Sequence, residues 1–301
     1  MTTRRATTSR RSSRARPDAE RPVHRYWRSA TWTVVYWAVR GAAALARAAP
    51  LWLSYRVGRA AGVLAYYAWA GGRRRSIANM RHVLRDDPDA DARARSLARQ
   101  SFANYGAYLV DFLRFTAINA QQVRARVHFD GWERIDAERA AGRGIVFVTM
   151  HYGNWDLGAA AIAAHGTPIT VVADRFPDSR LDELVLGARR HLGMTIVPAE
   201  RVGPSLLRAL RRRHVIAILI DVPPPDDAGI EVEFFGAPMR VADGAACLAL
   251  RSGAAVFAVT LPRTQPMSEH VHVAWEQIDV APTGDPTFDA QALTQATMRA
   301  L

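Results

Sequence analysis

No lysine occurs in the 301 residues; all 40 basic side chains are arginine. A P-loop needs a lysine after its glycine-rich turn, so that route to nucleotide phosphates is excluded. The cations that remain are planar forks, suited to phosphate or carboxylate. Cysteine is almost absent. The single Cys247 allows no disulfide within the chain, which fits a reducing compartment. It lies in the apolar stretch "GAACLALRSG" with nothing basic to activate it, so it reads as a small buried residue and not a nucleophile. No serine sits in a G-x-S-x-G elbow, which removes the common hydrolase arrangement. His270 and His272 alternate along "EHVHVAW" on one strand face without a third ligand, so no metal is expected.

Acids are scarce at the start of the chain. Of the net +12, residues 1–28 carry nine arginines against Asp18 and Glu20. A chain this basic seeks a polyanion. Residues 1–25 read as a disordered basic arm without the apolar core or cleavage site of a secretory signal. They contain no aromatic residue to stack on bases, which argues against a nucleic-acid partner. Residues 26–72 hold no acid at all, yet five of the eight tryptophans (Trp27, Trp32, Trp37, Trp52, Trp69). Arg40, Arg47, Arg56 and Arg59 break the segment before any run reaches the roughly 18 uncharged residues of a clean spanning helix. Amphipathic helices lying on an anionic membrane surface fit this pattern better. A helical hairpin packed on the protein's own core is the alternative.

What is present from residue 73 onward is periodicity. Leu97, Phe102, Tyr105, Leu109 and Phe112 recur at helical spacing. After Val127 the rhythm changes. Strand-like runs ("GIVFVTM", "PITVVAD", "TIVPA", "VIAILID", "AAVFAVTL") alternate with helix-like ones over some 150 residues. That alternation predicts an α/β fold, a mostly parallel sheet with helices on its faces. Ligands of such sheets bind beyond the carboxyl ends of the strands.

His151 stands at one such end, in "HYGNWD". Asn154 is a good N-cap, and Gly153 permits close backbone approach. A hydrogen bond from the imidazole to Asp156 would fix its tautomer and free the other nitrogen to take a proton. Asp156 in a first helical turn is also favourable through the dipole alone. Charged residues close the neighbouring strands: Asp174 and Arg175, Glu200 and Arg201, and Asp221 before the stiff "VPPPDDAG". Arg175 is the best anion clamp among them. In "GIEVEFFGAPMR", Glu231 and Glu233 share a strand face, and at least one of Phe234 and Phe235 is expected to face the cleft or a partner surface.

"HYGNWD" resembles the H-x-x-x-x-[D/E] signature of glycerolipid acyltransferases. With G-N-W inside, it is similar to the bacterial late acyltransferases of lipid A biosynthesis and the actinobacterial phosphatidylinositol mannoside acyltransferases. "RRRSIANMRHVL", "RQSFANYGAYLVDFLRF", "VVADRFPDSRLDELVLGARRHLG", "LLRALRRRHVIAILID" and "GIEVEFFGAPMRVADGAACLALRSGAAVFAV" match further blocks in order, covering most of residues 30–300. The resemblance implies a membrane-facing O-acyltransferase with a hydrophobic N-terminal anchor, on the cytoplasmic face of the bacterial inner membrane. Residues 26–72 would associate with the membrane, and residues 73–301 would form the acyltransferase domain. His151 would be the general base, with Asp156 or Glu231 as its acid. Gly153, Asn154, Arg175, Arg201, Asp221 and Phe235 would line the substrate site, Arg175 holding a phosphate. Acyl-CoA or acyl carrier protein would enter as a thioester co-substrate without a bound cofactor, and a lipid would accept the chain. The departures are "DVPPPDD", where the family often shows Asp-Gln-Asp or Asp-Arg-Asp, and an end at "TQATMRAL", before the Trp-rich tail of lipid A enzymes. A lipid-binding protein of the same fold without catalysis is the other reading.

Overall fold

The computed structural model describes residues 22–198, 202–224 and 228–301. Most of the expected basic arm (residues 1–21), Glu200 and Arg201 lie outside the described residues. Four helices come first: α1 (Pro22–Ala48), α2 (Leu51–Ala68), α3 (Ala70–Val83) and α4 (Ala90–Arg114). The short α5 (Ala120–Arg126), β1 (Val127–His128) and α6 (Trp132–Ala140) lead into the alternating part. There β2 (Ile145–Thr149), α7 (Trp155–Ala164), β3 (Ile169–Ala173), α8 (Ser179–His191), β4 (Thr195–Pro198), α9 (Val202–Arg211) and β5 (Val215–Leu219) follow one another. A hairpin of β6 (Ile230–Phe234) and β7 (Ala237–Val241) interrupts the alternation. It resumes with α10 (Gly244–Ser252), β8 (Ala255–Thr260), β9 (Val271–His272), β10 (Ala274–Ile278) and α11 (Pro286–Ala300).

The main sheet has six strands in the order β10-β8-β2-β5-β3-β4, and only the edge strand β10 runs antiparallel. The α/β expectation is met. Its central strands are apolar throughout because both faces are covered. Ile145 and Phe147 of β2 pack on one side with Leu157 and Ala160 of α7 and Ala188 of α8. Val146 and Val148 pack on the other with Leu206 and Leu210 of α9, Ala245 and Leu248 of α10, and Met298 of α11. Each of the Ile, Phe, Val, Leu and Met side chains is worth about 1.5–3 kcal/mol when fully buried, so this two-sided core dominates the stability of the fold.

The topology opens a crevice at one place. After β2 the chain turns to the α7 face. The neighbouring strand in the sheet, β5, leads from its carboxyl end through the β6–β7 hairpin to α10 on the opposite face. Adjacent strands whose connections diverge leave room at their carboxyl ends, the usual position of a ligand site in an open parallel sheet.

The N-terminal helices form a separate layer. The arm expected to reach residue 25 gives way earlier, since α1 begins at Pro22, a residue whose fixed φ suits a first helical position. Residue 72, the expected end of the membrane-associating segment, lies within α3. α2 lies tightly on α4 because Gly58 faces Gly106, and a Cβ on either would overlap the other's carbonyl. Trp37, Trp52, Leu64, Tyr67 and Trp69 of this layer are each more than half exposed. Several arginines stack on these aromatics, with Arg56 5.2 Å from the Trp52 ring and Arg75 5.4 Å from Trp69. Among the described residues, no helix is long and apolar enough to cross a membrane.

Candidate active site

His151 and Asp221 meet in the crevice. Thr149 at the end of β2 pairs with Leu219 at the end of β5, so the residues two further along each strand come side by side. The His151 ring donates from Nδ1 to Asp221 Oδ1 at 2.9 Å, and the His151 backbone N–H donates to Oδ2 at 3.0 Å. An ionised carboxylate can only accept, so the proton of the neutral ring sits on Nδ1 and Nε2 keeps its lone pair. Burial raises the Asp221 carboxyl, but the ring and amide hydrogen bonds from His151 outweigh it and its pKa lies below the usual carboxylate value. The ring is 44% exposed and packs edge-on against Trp155, centroids 4.9 Å apart.

The loop between His151 and α7 is fixed by its backbone. Gly153 has φ +73° and bridges to Leu261, where any Cβ would overlap the Leu261 carbonyl. The next N–H, that of Asn154, donates to the same carbonyl at 2.9 Å. Only glycine meets both demands, so its place here is to seat the loop.

Asp156 is not the partner of His151. It points inward from the first turn of α7, is 4% exposed and accepts from Arg189 of α8 on both oxygens, at 2.7 and 3.0 Å. The Tyr108 hydroxyl of α4 donates to it at 2.7 Å. Burial and the Asp156 charge raise the Tyr108 pKa far above its ordinary value, which keeps the hydroxyl a donor. The sequence expectation failed because helical phase turns Asp156 toward α4 and α8, while strand register delivers Asp221 to the imidazole.

The other expected residues divide. Asn154 caps α7 as expected, Oδ1 accepting from the Leu157 N–H at 3.0 Å, but it is fully buried and its Nδ2 donates to Asp111 at 2.7 Å. Both ends are committed, so it lines no substrate surface. Arg175 stands exposed at the end of β3 in a cleft that His151 also lines. Glu231 lies on the outer face of the separate β6–β7 hairpin, opposite Arg240, and lines neither cleft at His151. Period-two alternation sends Val232 into the core and both Glu231 and Glu233 outward. Phe235 occupies the hairpin turn with φ +48°, half exposed and edge-on to Phe234, also outside both clefts. Among the described residues, no group of three His, Cys, Asp or Glu side chains is placed to hold a metal ion.

Two clefts flank His151 and Trp155. One, of about 580 Å³, is walled by aromatic residues including Trp69, Phe102, Tyr105 and Tyr152. The other, of about 590 Å³, carries Asp174 and Arg175 with Val222 and Leu248. A third hollow, an apolar trough of about 1030 Å³ between α1, α4 and α8, shares Tyr105 and Tyr108 with the first cleft and Phe176 and Arg189 with the second.

Sequence reasoning missed Tyr108, Asp111, Arg189 and Arg263. The bonds that Tyr108 and Arg189 make to Asp156, and Arg263 to Asp111, span 33 to 152 residues, beyond any local spacing rule. A signal does exist in two of them. Asp111 follows Ala107 by four residues on the buried stripe of α4, and Arg189 falls three after the buried Leu186 on α8. A charge on an apolar stripe needs a buried partner.

The family described as bacterial lipid A biosynthesis acyltransferase matches residues 24–301. A phosphatidylinositol mannoside acyltransferase of Mycobacterium tuberculosis (strain ATCC 25618 / H37Rv) is 32% identical over 198 residues, 64% of this chain and 62% of that protein. A protein of the same description from Mycolicibacterium smegmatis (strain ATCC 700084 / mc(2)155) is 28% identical over 197 residues, 64% of each chain. The match thus spans less than two thirds of these relatives' length.

Proposed function

The chain belongs to the bacterial lipid A biosynthesis acyltransferase family, and from that premise we propose that it is a membrane-associated O-acyltransferase. It moves a fatty acyl chain from a thioester, of acyl-CoA or acyl carrier protein, to a hydroxyl of a glycolipid or lysophospholipid. A phosphatidylinositol mannoside, the substrate class in the names of its relatives, is the first acceptor to test. The observation that carries the reading is the His151–Asp221 pair at the divergence of β2 and β5, open to a cleft on either side.

In this reaction Nε2 of His151 takes the proton of the acceptor hydroxyl as its oxygen forms a bond to the thioester carbonyl carbon. Negative charge passes to the carbonyl oxygen of the tetrahedral intermediate. The imidazolium is held by the Asp221 carboxylate. As the C–S bond breaks, the thiolate leaves and receives the proton from Nε2, so ester and free thiol are the products. No acyl-enzyme forms. Arg175 offers a guanidinium to a phosphate of donor or acceptor at the rim of the same cleft. The aromatic cleft suits a sugar face, and the apolar trough suits a hydrocarbon chain. Exposed tryptophans and arginines on α1 to α3 suit the headgroup level of an anionic bilayer, on the cytoplasmic face where acyl thioesters are found.

The test uses membranes carrying wild type or His151→Ala, supplied with labelled acyl-CoA or acyl carrier protein and a panel of lysolipids and glycolipids. Transfer by wild type that is lost in the variant, with fold and membrane binding retained, is the expected result. Equal transfer by both would remove His151 from the chemistry. Lipid binding without transfer from either donor would favour a non-catalytic lipid-binding protein.

A further inference from the structure

A buried polar cluster lies beneath the His151 loop and is not used by the chemistry above. Asp111 of α4 accepts from three directions. The Tyr55 hydroxyl of α2 reaches Oδ1 at 2.5 Å, Asn154 Nδ2 reaches Oδ2 at 2.7 Å, and the Arg263 guanidinium pairs with the same oxygen. Arg263 also donates to the Tyr55 oxygen at 3.3 Å and to the Ser268 carbonyl at 2.6 Å. All four side chains are buried or nearly so. Two separate segments, α2 and the chain after β8, therefore converge on the Asp111 carboxylate of α4, which in turn accepts from the amide side chain three residues beyond His151.

The cluster is an expensive construction. An ion pair inside a protein stabilises little after desolvation, and a hydrophobic set of similar volume often does as well. Its geometric yield is larger. Asn154 has one end in the α7 cap and the other on Asp111, and its N–H is tied to Leu261. Arg263 follows Leu261 by two residues, so the same short segment holds the loop through its backbone and anchors Asp111 through its side chain. Burial raises the Asp111 carboxyl above the usual carboxylate value, and Arg263 and Tyr55 offset part of that rise.

We propose that Asp111 and Arg263, braced by Tyr55, are positioning residues that set the His151 loop through Asn154 and so couple helix α2 to the catalytic base. The inference rests on the acyltransferase reading of the same site. It makes the seating of the N-terminal helical layer a determinant of base alignment and not only of anchoring. Asp111 and Tyr55 line neither cleft at His151; Arg263 borders the aromatic one, and in this role it acts through Asp111.

Two variants test it. Asp111→Asn removes the charge at constant size. Tyr55→Phe is the gentler one, losing a single hydroxyl while its ring still packs, and it serves if the first does not fold. The first readout needs no substrate: hydrogen exchange of the peptide spanning residues 151–157, compared with a peptide from α11. Loss of a charge-assisted bond should speed exchange in the loop about ten-fold, with α11 unchanged. The second readout is kinetic. Misplacing the base should lower kcat about 10- to 100-fold with KM held within about two-fold. In an Asp221→Asn background, where alignment is already lost, the same change should cost little more.

Loop exchange equal to wild type in both variants would overturn the proposal whatever the activity. Faster exchange with kcat unchanged would overturn it too, leaving the cluster as scaffold. Fully multiplicative losses in the double variant would show that Asp111 acts by a route other than His151. A wild type that acylates nothing would sink the acyltransferase reading, and the exchange result alone would then decide whether the cluster sets the loop.

Discussion

Replacing Asp221 with asparagine tests the centre of the mechanism. The carboxylate accepts two hydrogen bonds from His151, one from the ring at 2.9 Å and one from the amide at 3.0 Å. An asparagine side chain can accept only one of them. If its oxygen takes Nδ1–H, its NH2 faces the backbone N–H, donor against donor. If it flips, NH2 donates to Nδ1, the ring proton moves to Nε2, and the base is lost. In either case the imidazolium of the transition state faces a dipole where a charge had been. Two unit charges at about 4 Å and an effective dielectric of about 20 interact by about 4 kcal/mol. The ring is 44% exposed, so solvent screening reduces this to about 1–3 kcal/mol, a kcat loss of about 5- to 150-fold. The assay is transfer of labelled acyl chains in mixed micelles at saturating donor and acceptor, with circular dichroism to confirm the fold. A kcat within about three-fold of wild type, fold intact, would refute the assignment of Asp221 as the residue that orients the base. The sign of the pH effect follows from the lowered Asp221 pKa. Its contribution to stability is present above the unfolded carboxylate value of about 3.9 and is lost as pH falls through the lower folded value. Between pH 5 and 8 it stays ionised, so activity changes in that window do not come from Asp221.

Gly153→Ala places a methyl group on the Leu261 carbonyl at φ +73°, and thermal melting should show a loss of about 1–3 kcal/mol together with activity. Arg175→Ala should raise the KM for a phosphate-bearing substrate about ten-fold while leaving kcat nearer wild type, and an unchanged KM for both donor and acceptor would take Arg175 out of the site. Asp178 caps α8, and the Arg180 side chain, with the backbone N–H groups of Leu181 and Arg180, holds its pKa at about 2. Its folded pKa is depressed, so its stabilising effect is complete above about pH 4 and lost as pH falls through about 2. Asp178→Ala should therefore melt below wild type at pH 6 and with it near pH 2.

The sequence by itself determined the α/β class, the alternating layout of strands and helices, and the place of His151 at a strand end. Those properties reside in period-two and period-3.6 patterns and in the "HYGNWD" stretch, all read within a few neighbouring residues. It also marked Arg175 for the crevice and Asn154 as a cap. Tertiary structure alone decided the partner of His151. Whether an acid five residues on, 70 residues on or 80 residues on meets an imidazole depends on strand order. Here β5 lies beside β2 in register while the first turn of α7 points Asp156 into the interior. Glu231 was lost to the same cause, because its strand belongs to a hairpin outside the main sheet. The buried pairs of Asp156 with Arg189 and Asp111 with Arg263 were equally closed to a one-dimensional reading, since an apolar stripe announces that a charge needs a partner but only packing between helices supplies it.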